Sequence, residues 1–304
     1  MTSTPSAITR LTAADPGYPA LLREVEPPPP LDVRGALVDE DALAIAIVGA
    51  RRATPYGVEV AESLASELAA RGVTIVSGFA RGIDTAAHRG ALAAGGRTLA
   101  VLGCGVDVVY PPENAPLVAQ VAARGALLSQ FPPGTPPLPQ NFPARNRTLA
   151  GLALGVVVVE AAERSGALIT AGFAGDLGRE VFAVPGRITS ESSRGANGLL
   201  QDGAKLVQHW MDVVSELPDR WRRAILDTAT AGDAPAPQIA GSDEERMLRV
   251  LSVEEPQHIE RLIARLQMEA ARASAVLTTL ELGGCVRQLA GQRWIAIGAR
   301  ARRP

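Results

Sequence analysis

The 304-residue sequence is short of several things, and each shortage excludes something. It has two cysteines, Cys104 and Cys285, far apart and without partners at metal-ligand spacing. That excludes a disulfide scaffold or a cysteine metal centre and reads as reduced thiols in a cytoplasmic protein. No apolar run approaches the ~18–20 residues needed to span a bilayer, so no membrane role is expected. The opening MTSTPSAITR lacks the charged-then-apolar pattern of a secretory signal. Aromatics are only 4% of the residues, so the core must be built from Ala, Val, Leu and Ile. Of the 30 Lys and Arg residues, Lys205 is the only lysine. An excess of charge is also missing. The formal net charge is −2, so a polyanion partner must be held by a local cluster rather than by a bulk field. The chain has no GxGxxG, no GxxxxGK[ST], no metal cluster and no Ser/His/Asp or Cys/His arrangement at a recognisable spacing, so no cofactor is expected.

What is present is the composition of a globular protein: 47% hydrophobic and 20% charged residues, with length for two domains and a small third. Residues 1–40 read as an N-terminal lead-in, with Pro27 to Pro30 a stiff extended spacer. Short apolar runs follow at Ala44–Val48, Val73–Ser77, Thr98–Leu102, Ala126–Ser129, Val156–Glu160 and Val181–Val184, with a weaker one at Lys205–Gln208. The segments between them have helical spacing, as in Val58, Ala61, Leu64, Ala65 and Leu68. Strands alternating with helices predict an α/β domain over 41–218, with a parallel sheet covered by helices on both faces. From about Asp219 the pattern lapses, and the small, polar, Pro-containing stretch TATAGDAPAPQIAGS makes 219–241 read as a linker. In 242–304, three helices (Asp243–Ser252, Pro256–Leu266, Glu269–Leu282) and a hairpin (Cys285–Leu289, Arg293–Ile297) resemble a winged-helix domain.

Five segments at strand ends carry chemistry. Gly49-Ala50-Arg51-Arg52 joins a glycine, which lets a ligand approach closely, to two guanidinium forks that match phosphate oxygens. The helix after it offers unpaired N–H groups to an anion. Ser77-Gly78-Phe79-Ala80-Arg81-Gly82 repeats the pattern, with Asp84 and Thr85 as candidate caps. His88 lies four residues after Asp84, but with no nucleophile nearby the pair reads as a structural contact. In Phe142-Pro143-Ala144-Arg145-Asn146-Arg147, cations and an amide flank a ring; the phenyl either stacks on a base or joins the core. Ser165-Gly166 opens a helix, and Glu160 before it reads as a carboxylate tying down arginines or N–H groups. Pro185-Gly186-Arg187 adds a last glycine-and-basic pair. On one sheet, these segments describe a concave, locally positive rim.

The set GARRATPYG, SGFARGIDTAAH, GCGVDVVYPPEN, FPARNR and VVVVEAAERSGALITA, with VPG and GANGLLQDGAK, resembles the DNA-processing protein A (DprA/Smf) family in order and spacing, over roughly Ala42 to Val214. The resemblance implies an extended Rossmann-like domain that binds single-stranded DNA. It also implies a role in natural transformation, protecting incoming strands and helping load the RecA recombinase. It implies a homodimer that is not an enzyme. Arg51 corresponds to the key arginine of the family's first loop. Some members carry a basic residue after the Tyr-Pro dipeptide; here Pro112 follows Tyr110-Pro111. Two rival readings rank lower. A nucleotide-cleaving enzyme of the phosphoribohydrolase kind needs a PGGxGTxxE motif, which is absent. A winged-helix repressor needs several cations on its recognition helix, and Glu269–Leu282 holds only Arg272.

Overall fold

In the computed structural model of the protein, the residues described are 7–231, 242–252, 256–289 and 291–296. The chain divides into two compact units, Met1–Ala231 and Gly232–Pro304.

The first unit is built on one sheet. Its elements are β1 (Ile8–Leu11), α1 (Ala20–Arg23), β2 (Leu31–Gly35), β3 (Ala44–Val48), α2 (Pro55–Ala69), β4 (Thr74–Ser77), α3 (Ile83–Ala93), β5 (Thr98–Leu102), α4 (Ala115–Arg124), β6 (Ala126–Ser129), α5 (Asn141–Gly151), β7 (Gly155–Val158), α6 (Gly166–Asp176), β8 (Glu180–Ala183), α7 (Arg194–Gln201), β9 (Lys205–Leu206), α8 (Trp210–Val214) and α9 (Asp219–Ala231). The strand order is β1-β2-β6-β5-β4-β3-β7-β8-β9. Strands β3 to β9 pair in parallel, whereas β2 joins β6, and β1 joins β2, antiparallel. The chain steps outward from β3 to β6 on one side, then returns to place β7 to β9 on the other. The reversal falls between β3 and β7, where a parallel sheet opens a crevice at its carboxyl ends.

Side-chain alternation explains why the apolar runs form central strands. Ala44, Ala46 and Val48 face one core with Val156, Val158, Ala167 and Ala171. Ile45 and Ile47 face the other with Ala61, Ala65 and Leu68 of α2 and Ala87 and Ala91 of α3. Every residue of β3 is buried, as expected of a strand covered on both faces.

The structure differs from the sequence reading in three places. Residues 1–40 are more than a lead-in, because β2 extends the main sheet. Its Leu31 and Val33 are buried, and buried Asp32 accepts two hydrogen bonds from Arg10 at 3.1 and 3.2 Å. Within the expected linker 219–241, Asp219–Ala231 is helical and buries Ile225 in the core; residues 232–241 lie outside the described residues. Pro256 does not open a helix. A two-residue strand, Gln257–His258, intervenes, and the helix begins at Ile259, where His258 Nδ1 accepts the Glu260 N–H at 3.3 Å.

The second unit contains α10 (Asp243–Val250), β10 (Gln257–His258), α11 (Ile259–Leu266), α12 (Ala270–Leu282), β11 (Val286–Leu289) and β12 (Arg293–Ala296). Its small sheet has the order β10-β12-β11. Met247, Leu262, Leu266, Leu277 and Trp294 form its own core. Three helices and a three-stranded sheet make a winged-helix fold.

Candidate functional site

A cleft of about 540 Å³ opens at the carboxyl ends of β3 and β4 and is closed by the starts of α5 and α6. Four of the five segments singled out in the sequence contribute to its lining.

The first loop leaves β3 at Gly49. A Cβ there would lie 2.6 Å from the Ile83 side chain and 2.9 Å from the Glu160 carbonyl, so only glycine permits this close packing. Thr54 caps α2 by accepting the Gly57 N–H at 3.1 Å. The buried Glu160 carboxylate accepts the Thr54 N–H at 2.9 Å and the Thr54 hydroxyl at 2.5 Å. Glu160 thus fastens the loop from below. Arg51 remains exposed, with its guanidinium 5.0 Å from the centre of the Phe142 ring, within cation–π range.

The second loop is held in an unusual backbone shape. Phe79 has φ +58° and Gly82 has φ +74°, two left-handed residues in one turn. Asp84 Oδ2 accepts the Ala80 N–H at 3.2 Å, and the Thr85 hydroxyl donates to the Ala80 carbonyl at 2.7 Å. The two residues therefore brace the turn from the first turn of α3. Behind the turn, Arg145 is buried: it donates to the carbonyls of Gly78 and of Val101 (2.6 Å), and its Nε donates to Asn146 Oδ1 at 3.0 Å. Burial pushes the Asp84 carboxyl above its usual range, against the pull of the Arg145 charge and the Ala80 N–H. A fixed cation thus stands at the floor of the cleft, with a carboxyl beside it.

At the third wall, the Ser165 hydroxyl accepts the Ala167 N–H at 3.3 Å and starts α6. The Asn146 amide donates to the Gly166 carbonyl at 3.2 Å, joining α5 to α6. The N-terminus of α6 faces the same cleft and favours an anion there.

Eight expected residues line the cleft together: Gly49, Arg51, Gly78, Phe142, Arg145, Asn146, Ser165 and Gly166. Arg81 lines an adjoining recess with Arg51, Gly78 and Phe142, and is paired with Glu113 at 2.7 Å. The others have different places. The Ser77 hydroxyl is buried and donates to the Ile47 carbonyl at 2.7 Å, and Gly82 packs against the backbone of Ala50 and Arg51. Arg147 turns away and donates to the Glu26 carbonyl at 2.6 Å, while exposed Arg52 and Arg187 are not part of the cleft wall. Tyr110, Pro137, Pro139, Ile169 and Thr170, which were not among the expected site residues, also line the cleft. Tyr110 stands 6.0 Å from Phe142, centre to centre. The Pro-rich stretch running into Phe142 was the available signal.

His88 does not pair with Asp84. Its Nδ1 lies 2.7 Å from the Thr98 hydroxyl, which itself donates to the Ile75 carbonyl at 2.8 Å. Thr98 has spent its one proton, so His88 must donate from Nδ1, and its buried Nε2 is left without a hydrogen-bond partner. Burial holds the ring neutral, with its pKa lowered to about 3. Among the described residues, no group of three His, Cys, Asp or Glu could hold a metal ion, and no helix is long and apolar enough to cross a membrane.

Two family descriptions match the chain: "DNA recombination-mediator protein A" over residues 9–218 and "DprA winged helix domain" over residues 231–292. Protein Smf of Synechocystis sp. is 35% identical over 93% of this chain and 79% of that protein. Protein Smf of Escherichia coli is 45% identical over 66% of this chain, but the match spans only 54% of that longer protein. The crystal structure of DNA processing protein A from Streptococcus pneumoniae matches with 43% identity and a TM-score of 0.66, covering 69% of this chain and 75% of that one. The Helicobacter pylori DNA processing protein A, in a structure described as giving insight into its single-stranded DNA binding mode, matches with 30% identity and a TM-score of 0.62, over 69% of this chain and 95% of that one. With a family match covering more than half its length and a relative 35% identical over 93% of it, the chain belongs to the DNA recombination-mediator protein A family, also called DprA or Smf.

Proposed function

We propose that the cleft at β3, β4, α5 and α6 binds single-stranded DNA, and that the protein protects such strands and hands them to the RecA recombinase during natural transformation. The observation that carries this reading is convergence. Arg51 from the loop after β3, Arg145 and the Phe142 ring from α5, and the N-terminus of α6 line one cleft. Guanidinium groups and helix N–H groups hold phosphates, and aromatic faces take unpaired bases with little sequence preference. The relative whose description names single-stranded DNA supports the assignment. So does the cleft's volume, which suits a nucleotide-sized guest.

The chemistry is binding, not catalysis. The carboxylate that lines the cleft and the one that holds its first loop are committed to structure: Asp84 braces Ala80, and both oxygens of Glu160 are taken up by Thr54. The hydroxyl beside Glu160, that of Thr54, also accepts the Gly57 N–H as the cap of α2 and is held in that structural role. A homodimer would place two such clefts on one strand and raise its avidity without new contacts.

The test is fluorescence anisotropy with labelled single-stranded and duplex oligonucleotides at several salt concentrations, followed by RecA filament formation on strands precoated with the protein. Single strands should bind more tightly than duplex, with affinity falling steeply as salt rises. Equal affinity for the two forms, or binding indifferent to salt, would refute the reading.

A further inference from the structure

In the recess beside the cleft, one cation is already taken. Arg81 donates from both Nε and Nη2 to a single oxygen of Glu113, at 3.0 and 2.7 Å. Both side chains are half-exposed, so the pair sits in contact with solvent and with anything that enters. Arg81 shares its recess with Arg51, Gly78, Tyr110 and Phe142. Two guanidinium groups therefore border one approach, and a carboxylate neutralises one of them.

The pairing is built into the fold. Glu113 lies in the one-turn helix Pro112–Asn114. Next to it, the buried Asn114 amide donates to the Phe79 carbonyl and to the Thr85 hydroxyl, both at 2.9 Å. Phe79 and Thr85 bracket the turn that carries Arg81. The acid and the base are thus fixed to the same scaffold. The Arg81 hydrogen bonds also hold the Glu113 carboxyl below its usual range, so it stays charged at any ordinary working pH.

We propose that Glu113 is an internal competitor for the nucleic acid, an acid that occupies Arg81 and that a phosphate must displace before this arginine can join the grip. The inference rests on the reading that the cleft binds single-stranded DNA, and deepens it by naming a residue that limits affinity. An exposed ion pair is weak, so a phosphate can break it. A polyanion arriving beside Arg51 must still bear the repulsion of the carboxylate paired with Arg81, which shares a recess with Arg51. The consequence is a strand held firmly enough to be covered and loosely enough to be released to the next protein.

The experiment compares the full-length wild type, Glu113→Gln, Arg81→Ala and the double variant, with anisotropy of a labelled oligothymidylate across a salt series. Glu113→Gln should tighten binding about three- to tenfold at low salt and steepen the plot of log affinity against log salt by about 0.7, the increment for one more phosphate on a single strand. Arg81→Ala should bind more weakly than Glu113→Gln, and adding Glu113→Gln to it should change little, because the freed partner is gone. If Glu113→Gln leaves wild-type binding unchanged or weakens it, the proposal fails. It also fails if Glu113→Gln tightens binding equally in both backgrounds, since the acid would then act through the general field. If the wild type does not bind the strand at all, the functional reading fails with it.

Discussion

His88 is enclosed by the core with a lone pair that nothing satisfies. Its ordinary pKa is 6.5, and burial lowers it to about 3. The unfolded chain therefore takes up a proton below about pH 6.5 that the folded chain refuses until about pH 3. This contribution to stability is complete above that window and is lost as the pH falls through it, at up to about 1.4 kcal/mol per pH unit. His88→Asn keeps a donor for the Thr98 hydroxyl and removes the titration. Urea unfolding between pH 7 and 4 should show the wild type losing stability faster than the variant; parallel acid limbs would contradict the assignment. Arg145 is the opposite case, a permanent charge kept inside by the Gly78 and Val101 carbonyls and by Asp84. Its role was not legible in the sequence. An arginine beside Phe142 and Asn146 reads as a surface cation, and only the fold reveals carbonyls waiting for it. The same applies to Arg147, whose partner, the Glu26 carbonyl, is contributed by a distant part of the chain.

At the scale of elements, the strands that build the site were legible because their apolar runs end in serine or are followed at once by glycine, where the chain turns into a loop that leads to the next helix. β3, β4, β5 and β6 fall at or within one residue of the runs that signal them. β2 was hidden because its Leu-Asp-Val-Arg alternation follows a proline run and includes a buried aspartate. The helix Asp219–Ala231 was hidden because its Thr-Ala-Thr-Ala end has the composition of a linker. One junction joins sequence logic to site geometry: Thr54 caps α2 and also satisfies Glu160. Thr54→Ala would remove the cap and the hydroxyl donor together, leaving a buried carboxylate with one partner fewer. The expected cost is about 2–4 kcal/mol, from the cap and the lost charge-assisted bond. Thermal unfolding should show a clear drop in midpoint, and Thr54→Ser, which keeps the hydroxyl, should restore most of it. If both variants melt alike, the hydroxyl is not what holds the loop.

On the scale of the whole molecule, a nearly neutral protein must bind a polyanion through position rather than total charge. The formal net charge is −2, so removing one cation from the cleft should matter and removing one elsewhere should not. The winged-helix unit provides the contrast. Arg272 is the only cation on α12, the helix that would enter a groove, and its Nε donates to Asp243 at 2.5 Å. The helix therefore offers no unpaired cation to a phosphate. Duplex recognition ordinarily takes several such contacts, each lost contact lowering the salt slope by about 0.9. In the full chain, Arg51→Ala should weaken single-strand binding and lower its salt slope by about 0.7, the value for one phosphate on a single strand. Arg272→Ala should leave both unchanged, and duplex should bind weakly to either variant. A loss of duplex affinity on replacing Arg272 would mean that α12 touches DNA after all, with its ion pair opening on contact. A flat response to replacing Arg51 would mean that the cleft's most exposed guanidinium does not meet the strand, and convergence of the loops would no longer explain binding.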